Sequence, residues 1–179
     1  MRVVRSPSKR VVLPAVAVGF VLVALGHRVA LRDLRGVESD YLAAREITAC
    51  ATQSLLPHAF GEDLDFDALD ADLDRLTREA ADASLELARA FERDDVAAFP
   101  PVRAARDRLA TALAAQAALY AALVADPDGS NDELRRLGAA NNAFERRAKS
   151  GRRWLLVGKP ADWDERFVCD EPPPFVPPP

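Results

Sequence analysis

The chain has 179 residues and a mass of 19.5 kDa, room for one domain rather than two. It is 49% hydrophobic and 29% charged, too apolar for a wholly disordered protein, and its single uninterrupted apolar stretch excludes a polytopic membrane protein. Two cysteines and two histidines are too few for a disulfide miniprotein or a cysteine zinc site, so no metal and no cofactor are expected.

The net charge of -4 hides an asymmetry. Residues 1–36 carry seven basic residues and one acidic, whereas residues 37–179 carry 17 basic and 27 acidic. An acidic main body repels phosphate backbones, so nucleic acid is not an expected partner. The basic end has the layout of a targeting segment. Arg2, Arg5, Lys9 and Arg10 precede an apolar run from Val11 to Leu25, and Arg28, Arg32 and Arg35 follow it. As a helix the run spans about 22 Å, short of the roughly 30 Å hydrocarbon core, with Arg10 and Arg28 placed to snorkel across the difference. The favoured expectation is an uncleaved signal anchor over 11–28, with residues 1–10 cytoplasmic. The alternative is a signal peptide cleaved after Gly26, giving a secreted product. Either reading puts the bulk of the chain outside the cytoplasm.

After this segment the apolar residues recur at spacings of three and four, and alanine, the strongest helix former, is abundant. The first predicted helix runs from about Val29 to Leu56, with Leu34, Val37, Tyr41, Ala44, Thr48, Ala51 and Leu55 on one stripe. Gly36 weakens it, and Pro57 is expected to end it. The second runs from about Asp65, a candidate N-cap, to Arg93. Its stripe is Phe66, Leu69, Leu73, Leu76, Ala80, Ala83, Leu87 and Ala90. The third starts at Pro100-Pro101 and lines up Val102, Ala105, Leu109, Ala112, Gln116, Leu119 and Leu123. Asp126-Pro127-Asp128-Gly129 reads as a turn. Ser130 and Glu133 have capping-box spacing ahead of a fourth helix bearing Leu134, Leu137, Asn141, Phe144 and Ala148, with Gly151 as the expected stop.

The expected fold is therefore all-α. An N-terminal membrane helix leads into an up-down-up-down four-helix bundle over 29–151. A tail over 152–171 is expected to pack on the bundle, and the Pro-rich end over 172–179 is expected to be irregular, polyproline II or disordered.

Four sets of residues are candidates for function. Cys50 and Cys169, outside the cytoplasm, are expected to pair within the chain and staple the tail to the bundle. Arg146, Arg147, Lys149, Arg152 and Arg153 form a basic cluster followed by Trp154, suited to an anionic surface such as lipid headgroups. Thr48, Gln116 and Asn141 interrupt apolar stripes and are expected to form a polar core layer. The acidic run Glu62–Asp74 lacks the glycine and bidentate glutamate of a calcium loop, and His58 has no ligand neighbours, so neither is assigned a metal. No nucleophile elbow, phosphate loop or paired-carboxylate motif is present, so no catalytic residue is named and no enzyme activity is expected. The leading expectation is a membrane-anchored extracytoplasmic helical bundle serving as a binding or scaffold module in a cell-envelope assembly, contacting another envelope protein or a second copy. The alternative is a secreted or anchored helical domain that binds a small ligand.

Overall fold

A computed structural model describes the backbone of residues 9–60, 66–93, 99–126 and 130–158, and the side-chain surroundings within 18–53, 69–93, 99–126 and 130–158. The described residues are all-helical: α1 (Lys9–Phe60), α2 (Phe66–Arg93), α3 (Pro100–Ala125) and α4 (Asn131–Trp154), with no strand among them. Residues 1–8, the 159–171 part of the tail and the proline end over 172–179 lie outside the described residues.

Three of the four helices begin where local chemistry places them. α2 starts one residue after Asp65, itself outside the described residues. α3 opens on Pro100 and Pro101, whose missing N–H groups cost nothing in a first turn. α4 starts after Ser130. The capping box is not formed, however. Ser130 makes no side-chain capping hydrogen bond, and Glu133 instead pairs with Arg136 at 3.4 Å.

Two predicted stops fail. α1 continues through Pro57 to Phe60, only three residues beyond it, so the lost backbone hydrogen bond falls in the helix's final turn. α4 runs through Gly151 to Trp154. Gly151 is instead a point of close approach. A Cβ there would lie 3.6 Å from Leu34 Cδ1 and 3.8 Å from the Pro101 carbonyl oxygen, so α1, α3 and α4 converge on it. The true stop lies five residues later, at Leu156, whose φ of 54° is left-handed. The Leu156 N–H donates to the Arg153 carbonyl at 3.3 Å and the Val157 N–H to the Arg152 carbonyl at 3.0 Å. These are the two bonds of a Schellman cap with leucine in the position that usually holds glycine.

The core is one cluster. Ala30, Leu34, Val37, Tyr41 and Ala44 come from α1, Phe91 from α2, Val102, Ala105, Leu109, Ala112 and Leu113 from α3, and Phe144 and Ala148 from α4, with Leu155 closing the end. α3 packs against both α2 and α4 and also meets α1, so its buried set widens beyond one stripe to include Leu113 and Tyr120. α3 is also long and apolar enough to cross a membrane, with a mean hydropathy of 1.4 over its most apolar stretch. A third of that stretch, 33%, is buried in the bundle, where α3 meets the other three helices. On α2 the buried face is rotated from the predicted stripe. Leu76, Ala80, Ser84 and Phe91 are buried, while Leu73 and Ala90 are exposed. On α4, Leu134 is exposed. Both exposed leucines lie near helix starts, where fewer neighbours surround the chain.

Left-handed backbone costs a residue with a Cβ about 1 kcal/mol relative to glycine. Leu156→Gly is therefore expected to stabilise the fold by about that amount, measured as a shift in urea midpoint at unchanged slope.

Candidate functional site

The end of the bundle where α1 enters holds the densest set of polar ties between helices. Glu38 lies between Leu34 and Tyr41 on the buried face of α1 and is 4% exposed. Arg152 on α4 meets it side-on: Nε donates to Glu38 Oε1 at 2.5 Å and Nη2 donates to Oε2. Nη1 of the same guanidinium donates to the Gly158 carbonyl, tying the segment after α4 back to the helix. This fork matches both carboxylate oxygens, which favours arginine over lysine. One turn further along α1, the Tyr41 ring packs on Phe144 with centroids 4.5 Å apart, and its hydroxyl donates to Glu145 Oε1 at 2.9 Å. Burial, and then the hydrogen bond to Glu145, hold the Tyr41 phenol well above its ordinary pKa of 10.0. About three turns below Glu38 on α1, His27 Nε2 donates to the Leu155 carbonyl at 2.9 Å.

A second polar point lies deeper in the bundle. Gln116 is buried, and its Nε2 donates both to the Ala44 carbonyl at 2.9 Å and to Ser84 Oγ at 3.1 Å, joining α1, α2 and α3. Both amide donors are thereby used. Thr48 reaches the same Ala44 carbonyl at 3.5 Å, but from an exposed position as a back-bond along its own helix. Asn141 is half-buried on α4, and no side-chain hydrogen bond joins it to Gln116. The layer around Gln116 therefore takes Ser84, not Asn141, as its side-chain partner. Ser84 sits four residues after Ala80 and seven before Phe91, a spacing that places it on the buried face. Stripe reading skipped it because it is polar.

The basic cluster divides. Arg152 is committed to Glu38, and Lys149 pairs with Glu145 at 3.2 Å, while Arg146, Arg147 and Arg153 are exposed. Trp154 is 71% exposed at the helix end. Cys50 is half-buried on α1 and is not a free thiol. Cys169 lies outside the described residues, as do the His58 side chain and the acidic run from Glu62 to Asp65. Further along α2, Asp72 and Asp74 are engaged by Arg75 and Arg78. No group of three metal-ligating side chains occurs among the described residues. Among the described residues, an open depression is lined by Glu86, Arg89, Ala90, Glu92 and Arg93 of α2.

Sequence reading missed Glu38, although one signal marks it. It is the charged residue at helical spacing between Leu34 and Tyr41, on a stretch of the stripe from Leu34 to Ala44 that is otherwise apolar. No family model matches the chain, and no curated protein or solved structure is similar to it.

Two outcomes are expected of these contacts. Glu38→Ala strands Arg152 in a buried setting and is expected to cost about 3 kcal/mol, while a paired Glu38→Leu, Arg152→Met exchange is expected to recover most of that loss in urea melts. Because the folded Tyr41 pKa is raised, the protonated phenol supports the fold fully below pH 10, and that support is lost as pH rises further. Tyr41→Phe is expected to flatten the alkaline limb of a stability-against-pH curve measured above pH 10.

Proposed function

We propose that this chain is a single-pass membrane protein whose helical bundle stands outside the cytoplasm and serves as a binding or scaffold module in a cell-envelope assembly. One observation carries the reading: every residue of α1 from Val18 to Val29 is exposed, and most are apolar, whereas the core begins abruptly at Ala30. An apolar helix without a polar face has no stable place in water, and a bilayer satisfies it. From Lys9, where α1 begins, to His27 is about 27 Å of helix, close to the roughly 30 Å hydrocarbon thickness. The basic residues Arg2, Arg5, Lys9 and Arg10 support a cytoplasmic N-terminus.

The cross-helix contacts support an up-down-up-down course. Leu34 meets Gly151 and Tyr41 meets Phe144, so α4 descends as α1 rises. Ser84 lies at the level of Gln116, and Phe91 at the level of Arg106, whose Nη2 donates to the Phe91 carbonyl at 2.9 Å. The chain's two cysteines and the absence of a free thiol at Cys50 support a Cys50–Cys169 bridge that holds the tail on the bundle. The ligand-binding alternative has no comparable support, because the Gln116 donors are spent on protein partners.

The test is fractionation with intact mass and crosslinking. The full-length chain is expected in the carbonate-washed membrane, lighter than the reduced chain by two hydrogens, with its bundle open to protease added from outside. Crosslinks to one envelope partner or to a second copy are expected in the same membranes. A product starting near residue 27 in the medium overturns the anchor, and absence of any crosslinked species overturns the scaffold role. Cys169→Ser is expected to lower the melting temperature under non-reducing conditions, within the limit of about 5 kcal/mol for closing so long a loop.

A further inference from the structure

The base of the bundle presents two large apolar side chains that are left exposed among the described residues. Trp154 is 71% exposed and Leu156 is 92% exposed. They flank Leu155, which is buried in the core. A chain that turns one residue inward between two neighbours directs those neighbours outward, and the left-handed backbone at Leu156 fixes that display. Their height is set as well. The Leu155 carbonyl accepts from His27, the residue that directly follows the exposed apolar run Val18–Leu25 and its closing Gly26. Adjacent Cα atoms are 3.8 Å apart, so Trp154 and Leu156 sit at the same level as the end of that run. Exposed arginines share the level: Arg28 on α1 and Arg153 on α4, with Arg32 one turn higher.

From this geometry we infer that the Trp154–Leu156 turn is a second membrane contact, a foot that enters the headgroup region of the outer leaflet beside α1. The inference rests on the anchored reading above and extends it. A tryptophan favours the interfacial level, where its ring meets the acyl boundary and its N–H stays wet. Leucine supplies apolar surface that no described residue covers, and the nearby guanidinium groups sit at the height of lipid phosphates. A helix anchored at one point is free to turn about its own axis. A bundle held at α1 and at the end of α4 is not. The foot therefore fixes which face of the bundle points along the membrane, and α2, which packs beside α1 and α3, keeps a constant outlook on whatever the bundle binds.

The test uses the full chain in vesicles of phosphatidylglycerol and phosphatidylcholine, with bromine placed on the acyl chains near the headgroup. Trp163→Phe leaves Trp154 as the sole tryptophan. The expected result is a blue-shifted Trp154 emission that loses most of its intensity when brominated lipid replaces plain lipid. Floated, carbonate-resistant protein whose Trp154 emits as in water overturns the foot and leaves the anchor standing. A blue-shifted Trp154 that bromine does not quench also overturns it, because protein rather than lipid then covers the residue. Protein that fails to float with the vesicles overturns the anchor, and the foot with it.

Discussion

The buried Glu38–Arg152 pair is the interaction on which the arrangement of α4 depends. α4 packs closely along α3 but approaches α1 at few positions. What joins α4 to α1 is a ladder of specific ties: Arg152 to Glu38, Tyr41 to Glu145 and Phe144, Leu34 against Gly151, and His27 to the carbonyl that follows the helix. An apolar contact tolerates sliding by a turn. A two-pronged arginine–carboxylate pair does not, because a shift of one residue leaves two charges buried without partners. Arg152 also holds the Gly158 carbonyl, so the same guanidinium sets the register of α4 and the direction of the chain leaving it.

Small residues set how near the helices come. Ala30, Ala44, Ala80, Ala105, Ala112 and Ala148 are all buried, and Gly151 lets the Leu34 side chain rest against the α4 backbone. Alanine contributes little apolar area per residue, so a few large side chains supply the volume: Phe144, Leu34, Leu109 and Leu113 are almost wholly enclosed. A core of this kind is thin and has little surplus to absorb a lost polar tie. That is why the Gln116 contacts to Ala44 and Ser84 matter beyond their individual strength. They stop three alanine-rich faces from sliding past one another.

The helices themselves were legible from the chain, because their signals are local. Periodicity, the Pro100-Pro101 start and the Asp126 turn bounded α3 to within a residue, and Leu34, Val37, Tyr41 and Ala44 were on the right face of α1. What escaped was everything decided between helices. Glu38 and Ser84 are polar, so a count of apolar spacing passes over them, yet each is buried by a partner more than thirty residues away. Gly151 looks like a helix stop in isolation. Only the approach of Leu34 and Pro101 shows why a small residue stands there. With that glycine used for packing, the left-handed cap falls to Leu156, a residue no local rule would choose.

That last exchange links the fold to the surface it presents. The cap at Leu156 brings its side chain no packing inside the bundle, since the residue is almost fully exposed, and in water it adds an apolar group beside an equally uncovered Trp154. The left-handed backbone is offset by the two hydrogen bonds that close α4, but the exposed leucine side chain gains nothing from the described part of the domain. On the anchored reading proposed above, that exposure is offset at the membrane boundary, where apolar side chains leave water. The exposed apolar length of α1 ends at that same height, one hydrogen bond away. On that reading the cap that terminates α4 and the segment that leads into α1 answer to one physical demand, and the Arg152 pair that ties α4 to α1 helps to keep the two at a common level.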